Sequence, residues 1–565
     1  MDNIRLILLF TLAFLVLMLY QAWNQDYGQK PQPQASHQAQ PAGEPTPPGS
    51  VPAPGEPAAT EVPSAPVPEG SAAQPPATGQ QAGAVEKGDW VTVKTDLLTV
   101  DIDTRGGNIV RLLLEDYPVS LQQPDVKFEL MRPVPPNLFV AQSGLIGAKK
   151  GDAPDHKARY RAAQRSYTLA DGQQKLQVDL FWENGSGIKV TKRFTFTRGT
   201  YLAQVQHLVE NGSEGSWTGR EYRQLVRTRP ESNGKNKMMA QAYVGGAIYS
   251  PEQKYEKISF DDMDEQKLDR EVKGGWIAML QHYFLGAWIP PAEESDHFYS
   301  NVFPGGRYAL GAYTPPVTLP AGGSHAFSTG FVAGPKLQDE LAAIAPGLEL
   351  VADYGWLTVL AKPIFWLLKN IHALVGNWGW SIILLTLLIK LAFYKLSETS
   401  YKSMANMRRM TPRIQALKDR YGDDKQRLNQ AMMEMYKKEK INPLGGCLPI
   451  VVQIPVFIAL YWVLLESVEL RQAPFIFWIK DLSIKDPYFV LPVIMGISMF
   501  IQQRLNPAPP DPMQAKLMMA LPFVFTIFFA FFPSGLVLYW VTNNVLSIAQ
   551  QWYITRKIEQ AAAGH

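Results

Sequence analysis

Cysteine is nearly missing from this chain: Cys447 is the only one among 565 residues. No intrachain disulfide can form, and zinc sites built on several thiolates are excluded. Cys447 sits in NPLGGCLP at the mouth of an apolar segment and reads as a small buried hydrophobe. Its internal position argues against lipoprotein-type processing. Catalytic signatures are missing too: there is no G-x-x-x-x-G-K-[ST], no H-E-x-x-H and no G-x-S-x-G. The eight histidines are scattered, and no nucleophile–base pair is legible. We therefore read no enzyme, no metal site and no cofactor. A strong charge bias is also lacking: the net charge of +3 names no partner.

What is present is segregated. The first 25 residues and the chain beyond about residue 350 are very apolar, whereas the middle has ordinary soluble composition. Residues 1–25 carry Arg5 and then an apolar run from Leu6 to Tyr20, followed by QAWNQDYG without a good cleavage site. This reads as an uncleaved signal-anchor span. Residues 26–88 form a linker: fourteen prolines lie between Gly28 and Val85, with no aromatic after Tyr27. Such composition cannot bury a core and should be extended and disordered.

Residues 89–335 read as a β-sandwich. Alternation is plain in Trp90–Thr95, Leu98–Asp103, Lys175–Trp182, Ile188–Thr197 and Tyr201–Val209, and turn signals such as Arg105-Gly106-Gly107 and Asn184-Gly185 punctuate them. Residues 336–375 hold two predicted helices, Leu337–Ala345 and Trp356–Leu374. The second suits either the interface plane of a membrane or packing on the β domain.

Residues 376–555 hold five apolar runs, at Trp378–Leu396, Leu444–Leu465, Tyr488–Gln502, Leu517–Phe532 and Leu536–Ile554. With the anchor they make six spans, and residues 556–565 form a short tail. Between Lys395 and Lys440 there are twelve Lys/Arg against six Asp/Glu; Arg504, Lys516, Arg556 and Lys557 flank other span ends, and the Pro533-Ser534-Gly535 link has none. The positive-inside rule then places both termini in the cytoplasm and the β domain outside. Within the basic stretch, 399–441 reads as an antiparallel helical hairpin with Met407, Met410, Ile414, Leu417 and Tyr421 facing Leu428, Met432 and Met435. Thr411-Pro412 predicts a kink or restart. Met404, Met407 and Met433 are candidate contacts for apolar clients or head groups. The basic face leaves ribosomal RNA and anionic lipid open as partners.

The most informative residue is Lys390, inside WGWSIILLTLLIKLAFY. A cation at a span centre costs about 2.5–3.5 kcal/mol on insertion scales. It can snorkel to the head groups or serve a wet cavity between helices. Thr386, Lys390 and Ser397 share a face of the second span. Gln453 lies between Pro449 and Pro455 in the third. Trp540, Asn543, Asn544, Ser547 and Gln551 form a stripe on the sixth. Polar groups in spans normally face a bundle interior or a wet cavity, and prolines 449, 455, 492 and 522 predict kinks.

The motifs NWGWSIILLTLLIK, KINPLGGCLPIVVQIPVFIALYWVL, SVELRQAPFIFWIKDLS and FFPSGLVLYWVTNNVLSIAQQW resemble the Oxa-type insertase family, and the layout of the whole chain resembles its Gram-negative form. The resemblance implies a polytopic α-helical membrane protein with a large periplasmic β-sandwich. It also implies an insertase and folding chaperone for nascent membrane proteins, working in the inner-membrane bilayer alone or beside the Sec translocon, and functional as a monomer. Family members carry a hydrophilic groove open to cytoplasm and lipid. By position Lys390 is its charged residue, Thr386 a polar groove position, and Tyr539 and Trp540 an aromatic pair. The family's groove residue is typically arginine, and Lys395 stands where many relatives have proline. With no nucleotide site, the work on a client would draw on its apolar transfer free energy and the membrane potential, about 2.3 kcal/mol per charge per 100 mV. Two rivals remain: a secondary transporter or channel, which needs paired ionisable residues or repeats, and an anchored envelope protein acting on carbohydrate through its β domain.

Overall fold

The structure, a computed structural model, describes residues 89–230, 242–422, 424–439, 448–505 and 512–563. The expected anchor, the linker and Cys447 lie outside them, as does the start of the third predicted span.

Two sheets pack face to face between Trp90 and Pro335. The eleven-stranded sheet runs from Asp269–Lys273 through Trp217–Thr228 to Ser166–Thr168; the nine-stranded sheet runs from Lys254–Ile258 through Ser324–Pro335 to Arg161–Ala162. The expected sandwich is therefore present. Its pairs are antiparallel except Trp90–Lys94 with Ser166–Thr168. The five alternating segments all form strands, for example Lys175–Glu183, whose Leu176, Val178 and Leu180 point inward. The central strands read differently. Trp276–Leu280 is buried on both faces, because Ile277 and Met279 enter the inter-sheet core while Trp276, Ala278 and Leu280 lie beneath the segment containing Leu341 and Leu348.

The helices are α1 (Phe260–Glu265), α2 (Gln338–Ile344), α3 (Thr358–Val375), α4 (Trp378–Ala392), α5 (Tyr394–Tyr421), α6 (Lys425–Lys438), α7 (Leu448–Glu466), α8 (Val490–Leu505), α9 (Pro512–Phe529) and α10 (Ser534–Ala563). Helices α3, α4 and α7–α10 share one apolar core, with Phe365, Leu385, Leu460, Met495, Phe529 and Val537 among its residues. So α3 packs on the helical bundle rather than on the β domain. It buries Ala361, Phe365, Leu368 and Ile371, and leaves Trp356, Val359, Trp366 and Leu374 exposed around it.

Three expectations change here. The predicted span Trp378–Leu396 is not one helix: α4 ends at Ala392, and the chain bends by 68° before α5. The apolar run gives way at this point to the polar KLSETSYK, and α5 continues at an angle with Ser397 and Ser400 still buried. Ser397 lies beyond the bend, and Tyr401 one turn later meets Ser547, the serine that Lys390 also meets. No single described helix is long and apolar enough by itself to cross a membrane; the bent pair Trp378–Ala392 with Tyr394–Met407 meets that length and composition together. The expected restart at Pro412 is absent, and α5 runs through it. Pro412 is exposed, so water can satisfy the carbonyl freed one turn earlier. Likewise Pro449 and Pro492 fall in first turns, where no helical bond is lost, and only Pro455 and Pro522 lie inside the α7 and α9 helices.

The two halves are fastened together. Lys336, at the end of the last strand, meets Glu466 at the end of α7 at 3.5 Å, both buried. His282 Nε2 contacts the Leu465 carbonyl at 2.9 Å. Arg471 donates to the Pro118 carbonyl at 2.6 Å and covers the rings of Phe128 and Phe284. Val468 enters the β-domain core.

Candidate functional site

Helix α4 begins with Asn377, whose side chain caps the Trp380 N–H at 3.1 Å and donates to the carbonyls of Pro474 and Phe475. Gly379 is required beside it, since a Cβ there would stand 2.0 Å from the Phe475 ring. This anchors the apolar start of α4 and fixes the rotation of its far end. That rotation turns Thr386 and Lys390 inward, at 1% and 7% exposure.

The Lys390 ammonium donates to Ser547 Oγ on α10 at 2.7 Å. Ser547 in turn donates to the Asn543 carbonyl at 2.7 Å, so its hydroxyl proton is engaged and its lone pair receives the cation. The side chain thus points across the bundle rather than along α4 towards the basic loop, and the snorkelling alternative is not the arrangement adopted. Among the described residues no carboxylate pairs with Lys390. An ammonium carries three donors, and one neutral hydroxyl is little compensation for a buried cation.

The stripe on α10 lines the same side. Asn544 donates to Ser498 Oγ of α8 at 3.1 Å, and Gln551 to the Leu505 carbonyl at 3.3 Å. Asn544, Ser547 and Gln551 are buried, while Asn543 is half-buried beside them. Close approach of α8 and α9 depends on Gly496, where a Cβ would meet Thr526 Oγ1 at 2.0 Å. Ser498 belongs to this polar column and was not singled out in the sequence; the rule that found Asn544 applies equally to a serine inside LPVIMGISMF.

Other candidates fall elsewhere. Thr386 is next to Lys390 along α4, but its hydroxyl donates to the Ile382 carbonyl of its own helix at 2.6 Å. Tyr539 and Trp540 belong to an aromatic cluster at the start of α10. Phe457 stacks on Tyr539 at 5.7 Å and meets Trp540 edge-on at 4.5 Å, and Phe529 lies 4.7 Å from Trp540. Gln453 is half-buried on α7, one turn before Phe457. In the hairpin, Met410, Ile414 and Leu428 are buried as the seam requires, and Arg413 joins Glu439 across the arms at 2.6 Å. Met433 is exposed, while Met404 and Met407 are half-buried. The site therefore holds an inward cation, a polar column on a facing helix and an aromatic cluster towards the start of that helix. Among the described residues no group of His, Cys, Asp and Glu could hold a metal ion.

Comparison with known proteins agrees with this layout. Residues 90–367 match the YidC periplasmic domain model, and residues 370–561 match the 60Kd inner membrane protein model. A protein named "Membrane protein insertase YidC" from Methylococcus capsulatus is 52% identical over all of both chains. One of the same name from Nitrosococcus oceani is 50% identical over 99% of this chain and all of the relative. A crystal structure described as active YidC insertase with its first transmembrane domain resolved matches at 20% identity and a TM-score of 0.38, over 83% of this chain and 93% of that one. On the strength of the full-length identity, this chain belongs to the YidC family.

Proposed function

We propose that this protein is a membrane protein insertase and folding chaperone of the inner membrane, and that Lys390 attracts the polar or acidic outer segment of a nascent client. The observation that carries the reading is the Lys390–Ser547 bond: a cation held inside the helical bundle by one neutral partner. The buried Lys192 of the β domain, by contrast, donates to two carbonyls. A cation with spare donors is suited to a transient anionic guest, whose charge would relieve its desolvation. Asn544, Ser547 and Gln453 supply hydrogen bonds to a passing polar segment, and Tyr539 with Trp540 closes the outer end. The client's apolar helix then partitions into lipid along the third and fifth spans. Neither a nucleotide nor a cofactor is needed.

In this reading six spans cross the membrane, with both termini cytoplasmic and the β domain periplasmic. The protein acts as a monomer, alone or beside the Sec translocon. Met404, Met407 and Met433 of the hairpin meet clients, with the ribosome a further partner of its basic face. The transporter reading is weakened because no described carboxylate faces Lys390. In a strain depleted of the native insertase, Lys390→Ala should impair insertion of clients with acidic outer segments while Lys390→Arg supports it. Undiminished insertion by the alanine variant would sink the groove-charge reading.

A further inference from the structure

The hairpin of strands Asn108–Ser120 and Gln123–Met131 exposes three aliphatic side chains at its tip, alongside Gln122, Gln123 and Asp125. Val119, Leu121 and Val126 are exposed by 48%, 42% and 50%, although its stem is ordered by pairs such as Leu114 with Phe128. A strand end in water ordinarily carries polar side chains. Between residues 119 and 126 the only charged residue is Asp125.

The stem is fixed to the outer end of the helical bundle. Arg471 and Gln472, just beyond α7, donate to the Pro118 carbonyl at 2.6 and 3.0 Å. Tyr117 lies close enough to Glu340 and Glu469 to feel their charge, and Glu469 feels Lys369 of α3. Trp366, one turn before Lys369 on α3, Trp356 just before that helix, and Phe477 and Tyr488 in the loop that follows Gln472 are exposed. Exposed aromatics at the outer ends of apolar helices mark a membrane–water interface.

We infer that this hairpin tip is a lipid-contacting foot, with Val119, Leu121 and Val126 resting among the head groups of net-neutral phospholipid in the outer leaflet. Lipid fits better than a protein partner. Three aliphatic side chains on one turn fall far short of the about 800 Å² per partner that a stable protein interface buries. The scarcity of charge suits a zwitterionic surface, and the tip continues a layer already marked by aromatic residues. The foot would hold the β domain against the bilayer independently of the groove.

The test uses the full-length chain with Cys447→Ser, a single cysteine at Leu121→Cys or Glu214→Cys, and an environment-sensitive fluorophore on that cysteine. Glu214 is exposed and follows the strand Leu202–Asn211, whose Leu202 end pairs with Val332 near Lys336 and whose Glu210 end pairs with Ser324. It is therefore at the end of the sandwich away from the bundle. In phosphatidylcholine nanodiscs containing shallow spin-labelled lipid, quenching at position 121 should be several-fold stronger than at 214, with a blue-shifted emission. Adding Val119→Asp and Val126→Asp should bring position 121 down to the level of position 214. Equal quenching at the two positions would overturn the inference. So would quenching at 121 that survives both aspartates, since the fluorophore alone would then be entering the lipid.

Discussion

Both halves of this molecule bury charge, and the Arg223 cluster of one and Lys390 of the other do so in opposite ways. In the β domain Arg223 is wholly buried and meets Glu221 at 2.8 Å and Asp296, while Glu221 also receives His207 Nδ1 at 2.8 Å. Burial holds His207 below its ordinary range, against the pull of the Glu221 carboxylate that its Nδ1 faces. Every charge of that cluster has an opposite partner, whereas Lys192 elsewhere in the domain is buried on the carbonyls of Gly106 and Ser143 and Arg227 on Leu280 and Gln281. In the helical bundle Lys390 has one hydroxyl. Pairing of the first kind serves the fold, because removing either partner leaves an uncompensated charge. The second kind leaves the fold little to lose and a ligand something to gain.

Breaking the paired network should therefore have the largest effect on stability. Arg223→Ala strands Glu221 and Asp296 and should cost the β domain about 3–5 kcal/mol, read as a lost or lowered thermal transition. Insertion should largely survive, as it should survive deletion of about Trp90–Gly334, which leaves the Lys336–Glu466 pair in place. Lys390→Ala should do the reverse. The bundle's melting should stay unchanged or rise, while insertion of acidic clients falls roughly tenfold or more, since a charge-assisted hydrogen bond contributes about 1.5–3 kcal/mol.

A smaller effect depends on pH. Burial pushes the Glu294 carboxyl up to about 7, against the pull of Arg223, with Asp296 and Glu221 adding to the rise. Arg223 already has two closer carboxylates, so a third gains little by ionising. The folded state then holds a proton that the unfolded state releases near its ordinary 4.5. The stabilisation from this site is complete below that value and lost as pH rises through 7. Glu294→Gln mimics the protonated form. It should match the parent at pH 4 and exceed it at pH 8 by about 1–2 kcal/mol, measured by denaturant titration at each pH. Smallest is Ser547→Ala, which should cost the bundle about 0.5–1.5 kcal/mol and free Lys390 for labelling by amine reagents. An unaltered labelling rate would show that Ser547 does not hold the ammonium.

The two halves also differ in how much the sequence reveals. Strands with one wet face, such as Ile188–Thr197, announce themselves by alternation. Strands covered on both faces, such as Trp276–Leu280, have no alternation to read. The polar column was legible in part because Lys390, Asn544 and Ser547 stand out in apolar runs. The rotation that aims Lys390 at Ser547 was not, because it depends on Asn377 reaching Pro474 and on Phe475 seated at Gly379, contacts nearly a hundred residues apart in the chain. The break after Ala392 was missed since hydropathy falls gradually across Phe393 and Tyr394. Trp540 joined the stripe by spacing alone, whereas its packing is with aromatic neighbours.

The central claim is that this cation, which has no carboxylate partner among the described residues, is kept for the client. It is tested most directly by pairing two insertases, Lys390 and Lys390→Gln, with two versions of one client whose outer segment carries either aspartates or asparagines, in proteoliposomes. The account predicts that the glutamine variant loses insertion of the aspartate client and keeps that of the asparagine client. An equal loss for both clients, or none for either, would contradict it.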